Sequence, residues 1–377
     1  MRKLLLLLAS GVMACAAHGQ EPIKIGVITD RVGFAKPWSE PILQGAIYAA
    51  SELNAKGGVL GRKVELLIED DQAKPDISAT AARKLEEAGA AFILSTTHTP
   101  AALQAQQVTL ETRTPHLAPS LTVDTLTTQI DNRNFWQTGP LASTQIATLL
   151  SYARQKAYRR VALISDNSAI SQATAKAFKV ELAKNKIDVV SEEVLPAGST
   201  SAQAQMQKVR AAKPDAIFLA TLLTSENLLL LRTYRQYGMN TPILGNYNLA
   251  VPVYMTVGKG LLDGVVFVDA WDPAKPQVQA FIAGYARAMG QEPYNMMGYG
   301  YDGVMLAADA IRRAGSTDKD KVRRAMQATR AFKGVLGSAQ SSYGFADGKR
   351  TGFDPEGMVV RAYEGDRQGR VVHVGTR

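Results

Sequence analysis

The chain of 377 residues contains one cysteine, Cys15, so no disulfide framework and no cysteine metal site is available to it. Histidine is nearly as scarce. His18, His98, His116 and His373 are scattered too widely for an H-E-x-x-H or similar metal-binding pattern. No G-x-x-x-x-G-K-[ST] and no G-x-S-x-G occurs, which removes the commonest phosphate-cradling loop and the nucleophile elbow. Beyond the N-terminus no apolar run approaches the roughly 20 residues that span a bilayer. Leu228–Leu231 is only four leucines between Asn227 and Arg232. Concentrated basic charge is absent too: Arg159-Arg160, Arg312-Arg313 and Arg323-Arg324 are pairs separated by neutral sequence, unlike the stripe of a nucleic-acid binder.

What is present is a globular composition, 46% hydrophobic and 20% charged, on a chain long enough for two cores. Arg2-Lys3, the apolar Leu4–Ala9 and the small residues from Ala14 to Gly19 have the three-part layout of a secretory signal peptide, residues 1–19. Val12-Met13-Ala14-Cys15 loosely resembles a lipoprotein cleavage box, and ordinary cleavage is the preferred reading. Without Arg2 and Lys3 the mature chain carries 41 basic against 34 acidic residues, a mildly basic solvated surface.

Short β-branched runs then alternate with stretches of helical spacing. Strands are predicted at Ile23–Ile28, Val64–Ile68, Ala91–Leu94 and His116–Ala118, and helices at Pro41–Asn54, Ile77–Ala88 and Pro100–Thr112. After Gly139-Pro140 the alternation restarts. Strands fall at Val161–Ile164, Val189-Val190, Ala216–Leu219, Pro242–Leu244 and Gly264–Val268, among helices beginning at Thr144, Ile170, Gln203 and Leu228. Helices at Pro276–Met289, Tyr299–Ala314 and Lys319–Ala328 follow. Beyond Ser338 a glycine-punctuated tail reads as hairpin strands at Met358–Tyr363 and Arg370–Val374. Repeated βα units imply an α/β fold of two doubly wound parallel-sheet lobes.

Gly57-Gly58-x-x-Gly61 follows a helix and precedes a strand, so it reads as a helix stop rather than a dinucleotide fingerprint. Glu69-Asp70-Asp71 reads as a strand-end loop or helix cap in preference to a cation site. In open parallel sheets ligands sit beyond the carboxyl ends of the strands. Those ends carry Ser95-Thr96-Thr97-His98-Thr99 and Pro119-Ser120-Leu121-Thr122. Their hydroxyls, together with amides at helix starts, suit a carboxylate, and ordinary N-capping is the alternative. A Ser–His–acid triad built on His98 or His116 is recognised by geometry, which the sequence does not give, and hydrolase function is the lesser reading.

The run Gly45-Ala46 … Asn54-Ala55-Lys56-Gly57-Gly58-Val59-Leu60-Gly61-Arg62-Lys63-Val64-Glu65-Leu66 … Asp70-Asp71 … Pro75 resembles the N-lobe signature of the leucine/isoleucine/valine-type periplasmic binding proteins, the type I solute receptors of ABC transporters. The likeness continues through Pro119-Ser120-x-Thr122 and Gly298-Tyr299-Gly300-Tyr301-Asp302. It implies two lobes, 20–139 plus 270–339 and 140–269 plus 340–377, joined by crossings near Thr138–Leu141, Val268–Asp272 and Ser338–Tyr343. It also implies a periplasmic solute carrier rather than an enzyme, a monomer without cofactor, working with ABC permease subunits; a sensory module of the same fold is the other option.

By the same resemblance a ligand carboxylate is held by Ser95, Thr96, Thr97 and His98 and by Ser120 and Thr122. Trp38, placed before the first helix, packs the ligand's apolar part. This sequence departs from amino-acid binders at the far wall. Asp166-Asn167-Ser168-Ala169-Ile170-Ser171 replaces D-x-x-x-Y-G, Leu222 or Leu223 replaces an aromatic, and Tyr247 stands where an ammonium-pairing acid is expected. Unless Asp269, Asp272 or another acid substitutes, an α-amino acid lacks its counter-charge. Trp38, Ile170, Leu222 and Tyr247 then make an apolar wall suited to an aromatic or other hydrophobic carboxylic acid, with a branched-chain amino acid as the alternative.

Overall fold

The βα alternation folds into two separate parallel sheets. The structure, a computed structural model, describes residues 21–96, 98–128, 133–339, 341 and 344–376. Residues 1–19, read above as a signal peptide, with Cys15, and Thr97, lie outside these residues.

The first sheet contains β1 (Ile23–Thr29), β2 (Val64–Asp70), β3 (Phe92–Ser95), β4 (His116–Ala118) and β5 (Phe135–Gln137), in the order β2-β1-β3-β4-β5, all parallel. Between them run α1 (Lys36–Ala55), α2 (Pro75–Glu87), α3 (Thr99–Thr112) and the single turn α4 (Thr125–Thr128).

The second sheet repeats the same winding. After α5 (Ala142–Gln155) come β6 (Arg160–Asp166), α6 (Ala169–Lys184), β7 (Asp188–Leu195), α7 (Gln203–Ala212), β8 (Ala216–Leu219), α8 (Thr224–Gln236) and β9 (Ile243–Gly245). A 3-10 turn at Tyr247–Ala250, α9 (Val253–Val257) and β10 (Val266–Asp269) follow. Its order is β7-β6-β8-β9-β10, extended by the antiparallel hairpin β11 (Val359–Glu364) and β12 (Arg367–Val374). In both sheets the order reverses beside the first strand, the switch point at which open α/β sheets bind ligands.

The chain passes between the sheets three times. β5 leads through 138–141 into α5, and β10 leads through 270–275 into α10 (Pro276–Met289), α11 (Asn295–Ala314) and α12 (Lys319–Gln327). The return to β11 begins after Gly337, which bridges to Trp271, and passes Thr351, which bridges to Gln137. Helix α11 packs along α1 on the first sheet. Gly45 and Gly300 permit the approach, because a Cβ at either would overlap the Met297 or the Ile42 carbonyl. The strands of both sheets are fully buried at Val27, Phe92, Leu94, Leu163, Phe218 and Leu244.

Several sequence expectations shift by a turn. Helix α1 begins at Lys36, not Pro41; Pro37 occupies its first turn and Pro41 lies inside it. Proline at the start lacks only an N–H that has no partner there, and Pro41 forgoes a single bond to the first turn. Trp38 therefore sits within α1 rather than before it. Helix α11 likewise begins at Asn295, four residues before the expected Tyr299. The glycine cluster acts as read: α1 stops at Ala55, and Gly57 and Gly58 take positive φ.

Candidate functional site

Acidic side chains shape the loops at the strand ends. Asp30, fully buried after β1, accepts from the amides of Val32 at 3.1 Å, Gly33 at 2.5 Å and Ala35 at 2.7 Å. That folds the turn and leaves Phe34 66% exposed. Asp166, at the end of β6, accepts from Ser168 N and from Leu222 N, both at 2.8 Å, so it ties two loops of the second sheet together. Asp70 and Asp71 accept from the amides of Arg31, Gln72 and Ala73, as turn caps. No group of three metal-ligating side chains occurs among the described residues.

The serine and threonine of the β3 loop face inward. Ser95 is fully buried and its Oγ lies 2.7 Å from Nε2 of His116, whose other ring nitrogen meets Thr109 Oγ1 at 3.1 Å. Burial pushes the His116 pKa down to about 3, so the ring is neutral and serves as a polar strut beneath the loop. Thr96 donates to Thr29 Oγ1 at 2.9 Å, and its carbonyl accepts from Ser39 Oγ at 2.9 Å. The hydroxyls of Ser95 and Thr96 thus fix the loop from below. Of the described residues that follow, His98 is half-buried and precedes α3 in extended conformation. The His98 ring meets Phe34 edge-on at 4.9 Å, and burial lowers its pKa against the opposing pull of Asp30. Its buried Nδ1 has no partner.

The β4 loop is the junction between the sheets. Gly139, on the first crossing, lies so close to it that a Cβ would strike the Ser120–Leu121 backbone. Tyr247, after β9, reaches over to donate its hydroxyl to the Ser120 carbonyl at 3.4 Å, and its own amide donates to Gln145 Oε1 at 3.1 Å. Gln145 Nε2 donates back to the Pro140 carbonyl at 2.7 Å. Burial, with the charge of Asp269 second, raises the Tyr247 pKa, so the phenol stays protonated.

A cavity of about 580 Å³ opens beside this junction, within the range of small-molecule sites. Thr122, Ile170, Leu222 and Tyr247 line it together with alanines and Ile146. Thr122, Thr174, Gln145, Asn246 and Asn248 supply polar groups, and Asp124 also lines it, with Ser143 as a partner, the amide at 3.3 Å. Trp38, Ser95, Thr96, His98 and Ser120 do not line this cavity; Ser120 adjoins it through the Tyr247 hydroxyl. Trp38, half-buried, packs against the hydrophobic cluster that includes Ile42 and Trp271. A hollow of about 340 Å³ near the third crossing is lined by exposed ion pairs, Arg330–Asp347 and Lys349–Asp354, and reads as a surface groove.

The acids that could replace the missing counter-charge are engaged elsewhere. Asp269 is fully buried and bonded to Arg361 at 3.1 Å, Asn295 Nδ2 at 3.0 Å and its neighbour's amide at 2.8 Å. Asp272 accepts from the amides of Ala274 at 3.0 Å and Ala339 at 3.3 Å, pinning the second crossing to the third. Reading the sequence missed Phe34, Gln145 and Asn246. The strand-end rule could have found Asn246, which follows β9 directly, and Phe34, in the loop five residues beyond β1; Gln145 has no signal beyond its place after Gly139-Pro140.

Two sheets wound alike, three crossings and a cavity at their carboxyl ends define a cleft receptor for a small solute. The model of the family described as "Periplasmic binding protein" matches residues 22–351, and the chain belongs to this extracytoplasmic family of solute-binding proteins. It is similar to the Leu/Ile/Val-binding protein BraC3 of Rhizobium johnstonii, 27% identical over 335 residues, 88% of this chain and 90% of the relative. It is 28% identical over 313 residues to the Leu/Ile/Val-binding protein homolog 3 of Brucella melitensis, covering 81% and 82%. Among solved structures, the leucine-binding protein LivK of Thermotoga maritima aligns with a TM-score of 0.79 at 23% identity, over 94% of this chain and 99% of that one. The branched-chain amino acid transporter substrate-binding protein LivJ of Streptococcus pneumoniae, solved with isoleucine, aligns at 0.80 and 22% identity, over 93% and 99%. At these identities the structural likeness carries the fold alone. Among the described residues no helix is long and apolar enough to cross a membrane.

Proposed function

We propose that this protein is the substrate-binding component of an ABC importer and delivers a hydrophobic, aromatic-type carboxylic acid from the periplasm to permease subunits. In this reading it acts as a monomer after removal of residues 1–19, and its lobes are 20–139 plus 270–339 and 140–269 plus 340–377. The grouping of α10–α12 with the first sheet and of β6–β12 in the second supports the limits at 139 and 269, whereas Phe345, packed on Trp136, and Thr351, paired with Gln137, stay with the first sheet beyond residue 340. The carboxylate meets the α3 amides, His98, Ser120 and Thr122, and the hydrophobic part lies against Ile170, Leu222 and Tyr247. Thr97 belongs to the same loop by sequence, and Trp38 supports the floor from α1.

The observation that carries the choice of an acid is the state of the buried carboxylates. Asp30, Asp166, Asp269 and Asp272 are all bonded to amides or to Arg361, while the cavity wall is mostly apolar. A ligand ammonium enclosed there without a counter-charge would cost several kcal/mol. Asp124, which lines the cavity, favours a second reading, a hydrophobic amino acid whose ammonium turns toward that carboxylate. The names of the curated relatives fit the same alternative. A thermal-shift panel separates them, since a ligand at 100 times its Kd stabilises by about 2.7 kcal/mol. Shifts with benzoate or 3-phenylpropionate and none with leucine or valine support the acid; the reverse pattern establishes the amino acid.

A further inference from the structure

The cleft cavity does not end at the cleft. A groove of about 510 Å³ runs outward between α5 and α6, and Ser143, Ile146, Ala173 and Ala177 line both spaces. Shared walls set the two spaces side by side along α5 and α6. Helix α6 turns Ala169, Ala173 and Ala177 toward them at four-residue intervals, so from the α6 side only methyl groups stand between the two parts, facing Ser143 and Ile146 of α5. Large apolar side chains stay exposed at either end of this stretch, Ile170 at 48% and Val180 at 50%. Ten residues of helix separate them, about 15 Å along the axis. The polar groups Thr122, Gln145 and Asn246 line only the inner part, so a ligand held by its head at the cleft points its tail outward.

We infer that the ligand is an elongated acid, a carboxylate with an alkyl or arylalkyl tail that leaves the cleft along the furrow between α5 and α6. The inference rests on the ligand class proposed above. A side chain as short as that of leucine ends within the inner part and leaves the furrow without an occupant. The outer end is open, bordered by the exposed Lys176 and the half-buried Glu181, so a longer tail meets water rather than a wall. Each methylene laid into the furrow leaves water on at least one side and should strengthen binding up to about fourfold (about 0.8 kcal/mol).

Isothermal titration of the mature protein with benzoate, 3-phenylpropionate, 5-phenylpentanoate and 7-phenylheptanoate tests this. The expected result is a Kd that falls at least tenfold from 3-phenylpropionate to 7-phenylheptanoate. Ala147→Trp, which lines only the furrow, should abolish that gain while benzoate keeps its Kd within twofold. Val180→Asp, on an exposed position that tolerates substitution, should weaken 7-phenylheptanoate at least fivefold and leave benzoate alone. A Kd that is flat beyond 3-phenylpropionate overturns the furrow but leaves the acid reading standing. No binding by any acid, with leucine bound, overturns both. Unchanged titrations in Ala147→Trp, accompanied by lost self-association or lost transport, would make the furrow a docking face and overturn the inference.

Discussion

Replacing Arg361 with methionine should damage the protein in a way that reveals why Asp269 does not serve the ligand. The guanidinium lies 3.1 Å from the Asp269 carboxylate, and both side chains are almost wholly buried, at 4% and 0% exposure. Removing the cation strands a buried anion with only Asn295 and one backbone amide to hold it. A broken buried pair of this kind costs about 3–5 kcal/mol. Arg361 also donates to the Gly369 carbonyl on β12, so the hairpin loses a tie as well. Urea unfolding at pH 7 should therefore show a loss of about 4 kcal/mol for Arg361→Met, and Arg361→Met/Asp269→Asn should regain at least half of it.

The pH dependence has a definite sign. Burial already raises the Asp269 pKa in the wild-type protein, with Arg361 pulling it back. Without Arg361 the folded pKa rises further above the unfolded value of about 3.9. The folded state then binds more protons than the unfolded one between those values, so stability falls as pH rises through that window. The variant should be least impaired near pH 4 and most impaired at neutral pH. A loss below 1 kcal/mol that does not change with pH would refute the buried-pair reasoning.

Other consequences follow from single contacts. His116 has a folded pKa of about 3 against an ordinary 6.5, so stability is complete above about pH 6.5 and lost as pH falls towards 3, by on the order of 4 kcal/mol. His116→Gln should flatten that acid limb in urea titrations between pH 3 and 7. Gly300→Ala should destabilise by about 1–3 kcal/mol or more, measured by thermal unfolding, because the added methyl meets the Ile42 carbonyl where α1 and α11 touch. Tyr247→Glu should raise leucine affinity at least tenfold and weaken 3-phenylpropionate in titration calorimetry; equal or lower leucine affinity would count against Tyr247 as the position that selects the ligand.

The repeated βα pattern was readable because buried parallel strands are short apolar runs set between helices of strong periodicity. Ile23–Thr29 and Val161–Ile164 needed no partner to be recognised. Phe135–Gln137 did need one: three residues carry no period, and only pairing with β4 makes them a strand. The start of α1 was misplaced because Pro41 reads as a beginning, although Pro37 takes that place. At the site the sequence identified strand-end loops but not the direction of their side chains. Ser95 was visible as a hydroxyl at a strand end; its bond to His116, 21 residues away, was not. The furrow is tertiary altogether, since alanines at 173 and 177 signal nothing until α5 lies beside them.

The most direct test is a competitive titration of the purified mature protein with 3-phenylpropionate and leucine. Tighter binding of the acid, by at least tenfold, with leucine displaced from any residual site, is the result expected of a mostly apolar cleft whose buried acids Asp30, Asp166, Asp269 and Asp272 are engaged by protein groups. Leucine binding tighter than the acid would contradict it and would place the ammonium against Asp124.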